Sequence, residues 1–235
     1  MKEKFEKIFL ESRVFILTFL VITAIGITVS GIAYGQKFLM MLPLYGSLII
    51  VILNSEALRI GALIGGINSI LYAVVYYIYA LYGQALSALL ISFPFQIATF
   101  ILWTKRRDGA TTKFRSMSKK WKILGIIGLV VIYIPLLIMN INAGAALAPI
   151  DTAVSILGIV VTVLAMFAFV EYTYLSIIHS FLVLLLYVLM LGESPELTCY
   201  VVSTIYSITC IVRCALNVHK IYKKQQLENV ADQKE

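Results

Sequence analysis

Asn68, Tyr72, Tyr76 and Tyr79 stand at successive helical intervals inside one long apolar run, and Ser92, Gln96, Thr99 and Trp103 do so in the next. Amides, phenols and hydroxyls along one face offer hydrogen bonds to a polar solute, and lipid makes them too costly to leave facing hydrocarbon. An amide in mid-run has several groups to satisfy, so Asn68 and Gln96 suit a polar cavity or a contact with solute. Later runs carry Asp151, Ser155 and Thr162, then Thr173, Ser176 and His179, then Ser203 and Tyr206. His179, the one histidine within a run, fits a proton site, a ligand contact or an interhelical hydrogen bond. Ser and Thr also serve as packing residues, and Tyr76, Tyr79 and Trp103 stand near enough to run ends to act as interfacial anchors.

Other chemistries lack their parts. Cys199, Cys210 and Cys214 fall in or near the last run without a His or carboxylate close enough in sequence to complete a metal set. Disulfide geometry within one helix is poor, which leaves them as small packing residues. Of two histidines, His219 lies near the C-terminus, and neither a nucleophile with its base nor a metal cluster is discernible. No enzymatic activity, metal or cofactor is therefore expected. Asp151 and Glu171 are placed at run ends, within reach of water, and no acidic residue stands at the centre of a run. Ion coupling usually employs a buried carboxylate, so passive facilitation is the simpler expectation.

The elements that position these residues follow from composition. Of 235 residues, 61% are hydrophobic and 13% charged, whereas a soluble domain is roughly half apolar and a quarter charged. A helix needs about 20 apolar residues to cross a bilayer, and runs at 14–34, 38–54, 60–80, 82–103, 123–142, 150–170, 172–191 and 197–216 meet that length. They are continuous rather than alternating, which excludes a β-barrel. The first run lacks a convincing cleavage site and is too long for a signal peptide. An all-α integral membrane protein of eight spans in the lipid bilayer is predicted.

Basic residues in short loops stay in the cytoplasm. With the N-terminus inside, the cytoplasmic segments hold Lys2, Lys4, Lys7, Arg13, Arg59, the cluster between 105 and 122, Arg213, Lys220, Lys223, Lys224 and Lys234, and Lys37 alone falls outside. Both termini are thus expected in the cytoplasm, with residues 217–235 as a tail. The 105–122 cluster is flanked by spans, so topology and anionic headgroups account for it and no nucleic acid is expected. Three close-set spans (38–103), a solitary one (123–142) and three more (150–216) place two triplets in the same orientation, preceded by an extra N-terminal helix (14–34). Such parallel duplications enclose substrate paths between their halves, so a transporter for a small molecule is expected. A homo-oligomer is left open.

The segment from Asn54 to Lys105, with Gly65-Gly66-Ile67-Asn68, Tyr72, Leu81-Tyr82-Gly83, Pro94-Phe95-Gln96 and Trp103-Thr104-Lys105, resembles the first half of the PnuC family of vitamin-precursor transporters. Pro149-Ile150-Asp151-Thr152, Ser155 and Glu171 are similar to the second half. The resemblance covers about 38–220. It implies a SWEET-like 3+1+3 helix bundle in the plasma (inner) membrane and uptake of a phosphate-free vitamin precursor or nucleoside, nicotinamide riboside-like. It also implies facilitated diffusion made productive by a separate cytoplasmic kinase. Where typical members open the second triplet's middle helix with Glu, tryptophans and Asn, this chain has Glu171, Thr173, Ser176 and His179. Loss of stacking faces leaves thiamine, riboflavin, deoxynucleosides or, in a SWEET-type facilitator, sugars as alternatives. The substrate is expected to meet Asn68, Gln96, Ser155, Thr173, Ser176 and His179 through hydrogen bonds, and Tyr72 and Tyr206 through its apolar face.

Overall fold

The computed structural model describes residues 13–108 and 111–232; Lys2, Lys4, Lys7 and Lys234, invoked for topology, lie outside the described residues. Eight helices among the described residues are long and apolar enough to cross a membrane. They are α1 (Arg13–Ala33), α2 (Phe38–Ser55), α3 (Ile60–Ile78), α4 (Tyr82–Lys105), α5 (Lys119–Asn142), α6 (Ala148–Met166), α7 (Glu171–Met190) and α8 (Thr198–Asp232). A two-residue hairpin, Arg107–Asp108 paired antiparallel with Thr111–Thr112, follows α4. The bundle is otherwise helical, as a sequence of continuous apolar runs requires.

Helix ends depart from expectation for local reasons. The run expected to 170 stops at Met166, because Ala168 turns left-handed (φ +56°) and returns the chain into α7. In α3, Ala80 (φ +53°) does the same two residues beyond Ile78. Within α4 a π-helical turn spans Ala88–Ser92, just ahead of Pro94, which has no N–H to give the preceding turn. The stretch expected as a tail from 217 continues α8 as helix to Asp232.

Six helices pack in a closed ring, in the order α2, α3, α4, α6, α7, α8 and back to α2. α1 lies outside the ring against α2 and α8, and α5 lies outside it against α6 and the start of α4. Assigning α1–α4 to α5–α8 in order reproduces this contact pattern, as a parallel duplication requires. Irregularities repeat with it: the left-handed Ala57 after α2 matches Ala168 after α6, and both are buried. The Trp103 Nε1–H donates to the Ala165 carbonyl at 2.9 Å, and Cys214 Sγ donates to the Asn54 carbonyl at 3.1 Å. Each second-half residue in these pairings stands 111 positions after its counterpart.

One expectation is corrected. Asp151 is fully buried rather than within reach of water. Its Oδ2 accepts the Gly83 N–H at 3.0 Å and the Asn140 amide at 3.3 Å, so it caps the first turn of α4 from across the seam. Leu81 at the N-cap position supplies no side-chain hydrogen bond, and a bond from Asp151 to the backbone donor contributes about 0.5–1.5 kcal/mol. The carboxylate thereby holds α4, α5 and α6 together.

Candidate functional site

The ring encloses a cavity of about 310 Å³ that extends from mid-helix toward the end carrying the basic loop. On α3, Gly65, Asn68, Ser69 and Tyr72 form one wall, and Gln96, Thr99 and Trp103 of α4 stand beside it. Across from them α7 presents Tyr172, Thr173, Ser176 and His179, with Thr162 of α6 and Cys210 and Cys214 of α8 between. Six of the eight residues chosen from sequence therefore meet in one chamber. Ser155 and Tyr206 do not. The Ser155 hydroxyl donates to the Asp151 carbonyl at 2.7 Å and faces Gly83 at the α4–α6 seam. Tyr206 packs against Phe19 of α1, with ring centroids 5.2 Å apart.

Hydrogen bonds fix the amides. Asn68 donates to the Pro43 carbonyl at 2.9 Å and to Ser47 Oγ at 3.2 Å, and Ser47 Oγ lies 2.8 Å from the Tyr72 hydroxyl. Gln96 donates to Ser69 Oγ at 3.0 Å. These bonds use both Asn68 amide hydrogens and one of those on Gln96, while the two carbonyl oxygens lie against Gly46 and Gly65. Glycines make the room: a Cβ on Gly46 would sit 2.7 Å from Asn68 Oδ1, and one on Gly158 would sit 3.1 Å from His179 Nε2. Asn68 and His179 are thus equivalent positions of the two halves, each laid over a glycine of the preceding helix. Gly65 accommodates the Gln96 carbonyl.

Sequence reasoning missed Ser47, Ser69, Tyr172 and Ser180 as lining residues, and named Cys210 and Cys214 only for packing. Ser69 and Ser180 each follow directly on a residue that was singled out, Asn68 and His179, and that repeated adjacency was the available signal. Among the described residues no cluster of His, Cys, Asp or Glu is arranged to hold a metal ion.

A second cavity of about 190 Å³ lies beyond the first, toward the end carrying Lys37 and Glu196, and shares Tyr72, His179 and Ser180 with it. Tyr76, Tyr187 and Tyr200 line its far side. Aromatic clusters stand at both ends of the passage. At the basic end Trp103, Phe114, Val170 and Val218 form an apolar cluster, with Trp103 and Phe114 edge to face at 5.8 Å. At the far end the Tyr187 and Tyr200 rings pack at 5.5 Å, and Tyr200 OH donates to the Met40 carbonyl. A chamber between two like halves, with polar groups set in a mostly apolar lining and different aromatic clusters at its two ends, is suited to carrying a small molecule across a membrane.

Comparison with known proteins agrees with this architecture. The chain is similar to a solved structure described as "Crystal structure of the Vitamin B3 transporter PnuC", with 23% sequence identity and a TM-score of 0.76 over 90% of this chain and 91% of that one. No curated protein sequence matches. The family model described as nicotinamide mononucleotide transporter matches residues 37–216, a span that takes in five of the ring helices, α8 as far as Leu216 and every residue lining the chamber. On that match the chain belongs to the nicotinamide mononucleotide transporter family and is a multi-pass membrane transporter.

Proposed function

We propose that this transporter facilitates uptake of a small, phosphate-free vitamin precursor or nucleoside, nicotinamide riboside-like, through the plasma (inner) membrane. The carrying observation is the chamber's chemistry: amides, hydroxyls and an imidazole beside Tyr72, Trp103 and Tyr172, with no Lys or Arg in the lining. A phosphate buried there would lack the cationic partners that offset its desolvation. Ribose hydroxyls and a ring carboxamide match the Asn68, Gln96 and His179 groups, and three aromatic rings restore stacking area lost from α7. The volume of about 310 Å³ lies at the small end of the roughly 300–1,000 Å³ usual for small-molecule sites, which favours one nucleoside over a dinucleotide.

In this reading both termini are cytoplasmic, with the basic loop inside. The solute enters from the Lys37 end, and the halves rock about the α4–α6 and α8–α2 seams to release it at the other. Neither cavity lining holds a carboxylate, which supports passive facilitation, and a separate kinase would trap the product inside. Thermal-shift measurements on the purified chain with nicotinamide riboside, thiamine, riboflavin, nucleosides and simple sugars test the substrate class. A ligand at 100 times its Kd stabilises by about 2.7 kcal/mol. Stabilisation by sugars alone would replace the vitamin reading with a sugar facilitator. Asn68→Ala and Gln96→Ala are expected to weaken uptake by roughly tenfold, one hydrogen bond's worth each, with membrane insertion intact; normal uptake by both removes them from the site.

A further inference from the structure

At the Lys37 end of the ring the two seams between the halves are built differently. Across the α4–α6 seam, Asp151 Oδ2 of α6 accepts the Gly83 N–H of α4 at 3.0 Å and the Asn140 amide of α5 at 3.3 Å, and Asn140 also donates to Thr152 Oγ1 at 2.9 Å. The Ala146 N–H, just ahead of α6, donates to the Ala80 carbonyl, just ahead of α4, at 3.0 Å. Asp151, Thr152 and Asn140 are buried, so water does not compete for their bonds. Gly83 admits the knot, since a Cβ there would sit 2.5 Å from Asn140 Nδ2 and 2.9 Å from both Asp151 Oδ2 and Ser155 Oγ.

The matching corner of the α8–α2 seam lacks this knot. At the 111-residue spacing that relates the halves, Met40 stands for Asp151, Val29 for Asn140 and Ser194 for Gly83. The Met40 and Val29 side chains have no nitrogen or oxygen to offer, and the Ser194 N–H turns back to the Met190 carbonyl of its own half at 2.9 Å. Tyr200 OH crosses this seam to the Met40 carbonyl; the halves also meet there through the Tyr79 and Tyr200 rings, 6.2 Å apart, and a long 3.4 Å bond between the Tyr187 and Tyr76 hydroxyls. At the basic end both seams are tied. To the Trp103 bond the α4–α6 seam adds Arg106 Nη1 donating to the Phe167 carbonyl at 3.3 Å. To the Cys214 bond the α8–α2 seam adds Asn217 donating to the Ser55 carbonyl at 2.8 Å and the Arg213–Glu56 ion pair at 2.6 Å. Among the described residues, the corner held least by hydrogen bonds is therefore the Lys37 end of the α8–α2 seam. Two bodies that stay joined along one seam part along the other.

We infer that Asp151 is a positioning residue for transport: with Asn140 and Gly83 it fixes α4 against α6 as a hinge, so that the Lys37 end opens at the α8–α2 seam, where Tyr200 lets go of Met40. Asp151 lies outside both cavity linings and acts through the helices it joins. The inference deepens the rocking of the halves proposed above and rests on it, whichever solute is carried. Double electron–electron resonance on the full-length chain in lipid tests it, with Cys199, Cys210 and Cys214 replaced by alanine and spin labels at exposed positions. Leu39→Cys with Glu193→Cys spans the α8–α2 seam, and Leu86→Cys with Pro149→Cys spans the α4–α6 seam. The first pair should show a second, longer distance population, and the second pair a single one. Asp151→Ala should add a longer population to the α4–α6 pair, whereas Asp151→Asn, which keeps an acceptor oxygen for the Gly83 N–H, should not. Asn140→Ala serves as the second variant in case Asp151→Ala does not fold. A single distance across α8–α2, two distances across α4–α6 with Asp151 in place, or an unchanged α4–α6 distance in a folded alanine variant overturns the hinge. Uptake of nicotinamide riboside by the reconstituted wild-type chain is scored separately, and its absence beside the expected distances overturns the substrate reading alone.

Discussion

Gln96 holds its place because Gly65 has no side chain: a methyl there would overlap the Gln96 carbonyl oxygen and push the amide off Ser69. Ala is favoured over Gly in a helix by about 1 kcal/mol, so Gly65→Ala should leave α3 intact while displacing Gln96. The expected result is a loss of ligand affinity comparable to that of Gln96→Ala, roughly tenfold, with an unchanged thermal midpoint. Affinity equal to wild type in ligand titrations would show that Gln96 touches no ligand. The amides were legible in sequence because a buried amide in a span must be explained. Ser155 and Tyr206 were misplaced because a stripe gives a face and not its neighbour. One face of α6 meets the start of α4 at Ser155 and the chamber at Thr162. Tyr206 turns to α1, whose docking position no spacing reveals.

Among the elements, the basic segment after α4 does more than report topology. Arg115 exchanges backbone hydrogen bonds with Ala168 and Val170, at 3.0 and 2.9 Å, across the α6–α7 turn. Its guanidinium lies 4.3 Å from the centre of the Phe169 ring. Glu171 accepts from Ser116 Oγ at 2.7 Å and pairs with Lys122 Nζ at 2.7 Å. From the extension of α8, Gln225 takes the Phe114 N–H at 3.1 Å and donates to the Thr112 carbonyl at 3.1 Å. The segment is thus strapped over the chamber's basic end with Phe114 driven against Trp103. The sequence shows its charge but not its path, because most of these bonds are to backbone groups that leave no pattern in residue type. Gln225→Ala removes both bonds to the strap, each worth about 1 kcal/mol, and Phe114→Ala removes the plug. In either variant the buried Cys214 at the chamber's edge should react with a membrane-impermeant thiol reagent roughly tenfold faster or more, read by mass spectrometry with Cys199 as the far-end control. Unchanged Cys214 labelling in both variants would mean that the strap does not close the chamber.

At the scale of the whole molecule, the duplication was legible as an order of runs and orientations, and the residues alone were too diverged to prove it. Equivalent positions hold Asn68 and His179, or Trp103 and Cys214, pairs alike in place and role but not in side chain. The structure adds a consequence for α1. It stands to α2 and α8 as α5 stands to α6 and α4, outside the ring, and it contributes no residue to either cavity lining. It covers the α8 seam instead: Phe19 lies on Tyr206, and Thr28 Oγ1 lies 2.7 Å from the Tyr45 hydroxyl of α2. Close approach depends on Gly26, where even a methyl would come within 3.2 Å of Val202. Gly26→Leu should therefore wedge α1 from α8, at an overpacking cost of about 1–3 kcal/mol. A lowered thermal midpoint is expected, together with ligand affinity close to wild type, because the chamber is built by the six ring helices. Loss of binding in a variant that remains folded would instead make α1 part of the machinery that sets the ring's shape.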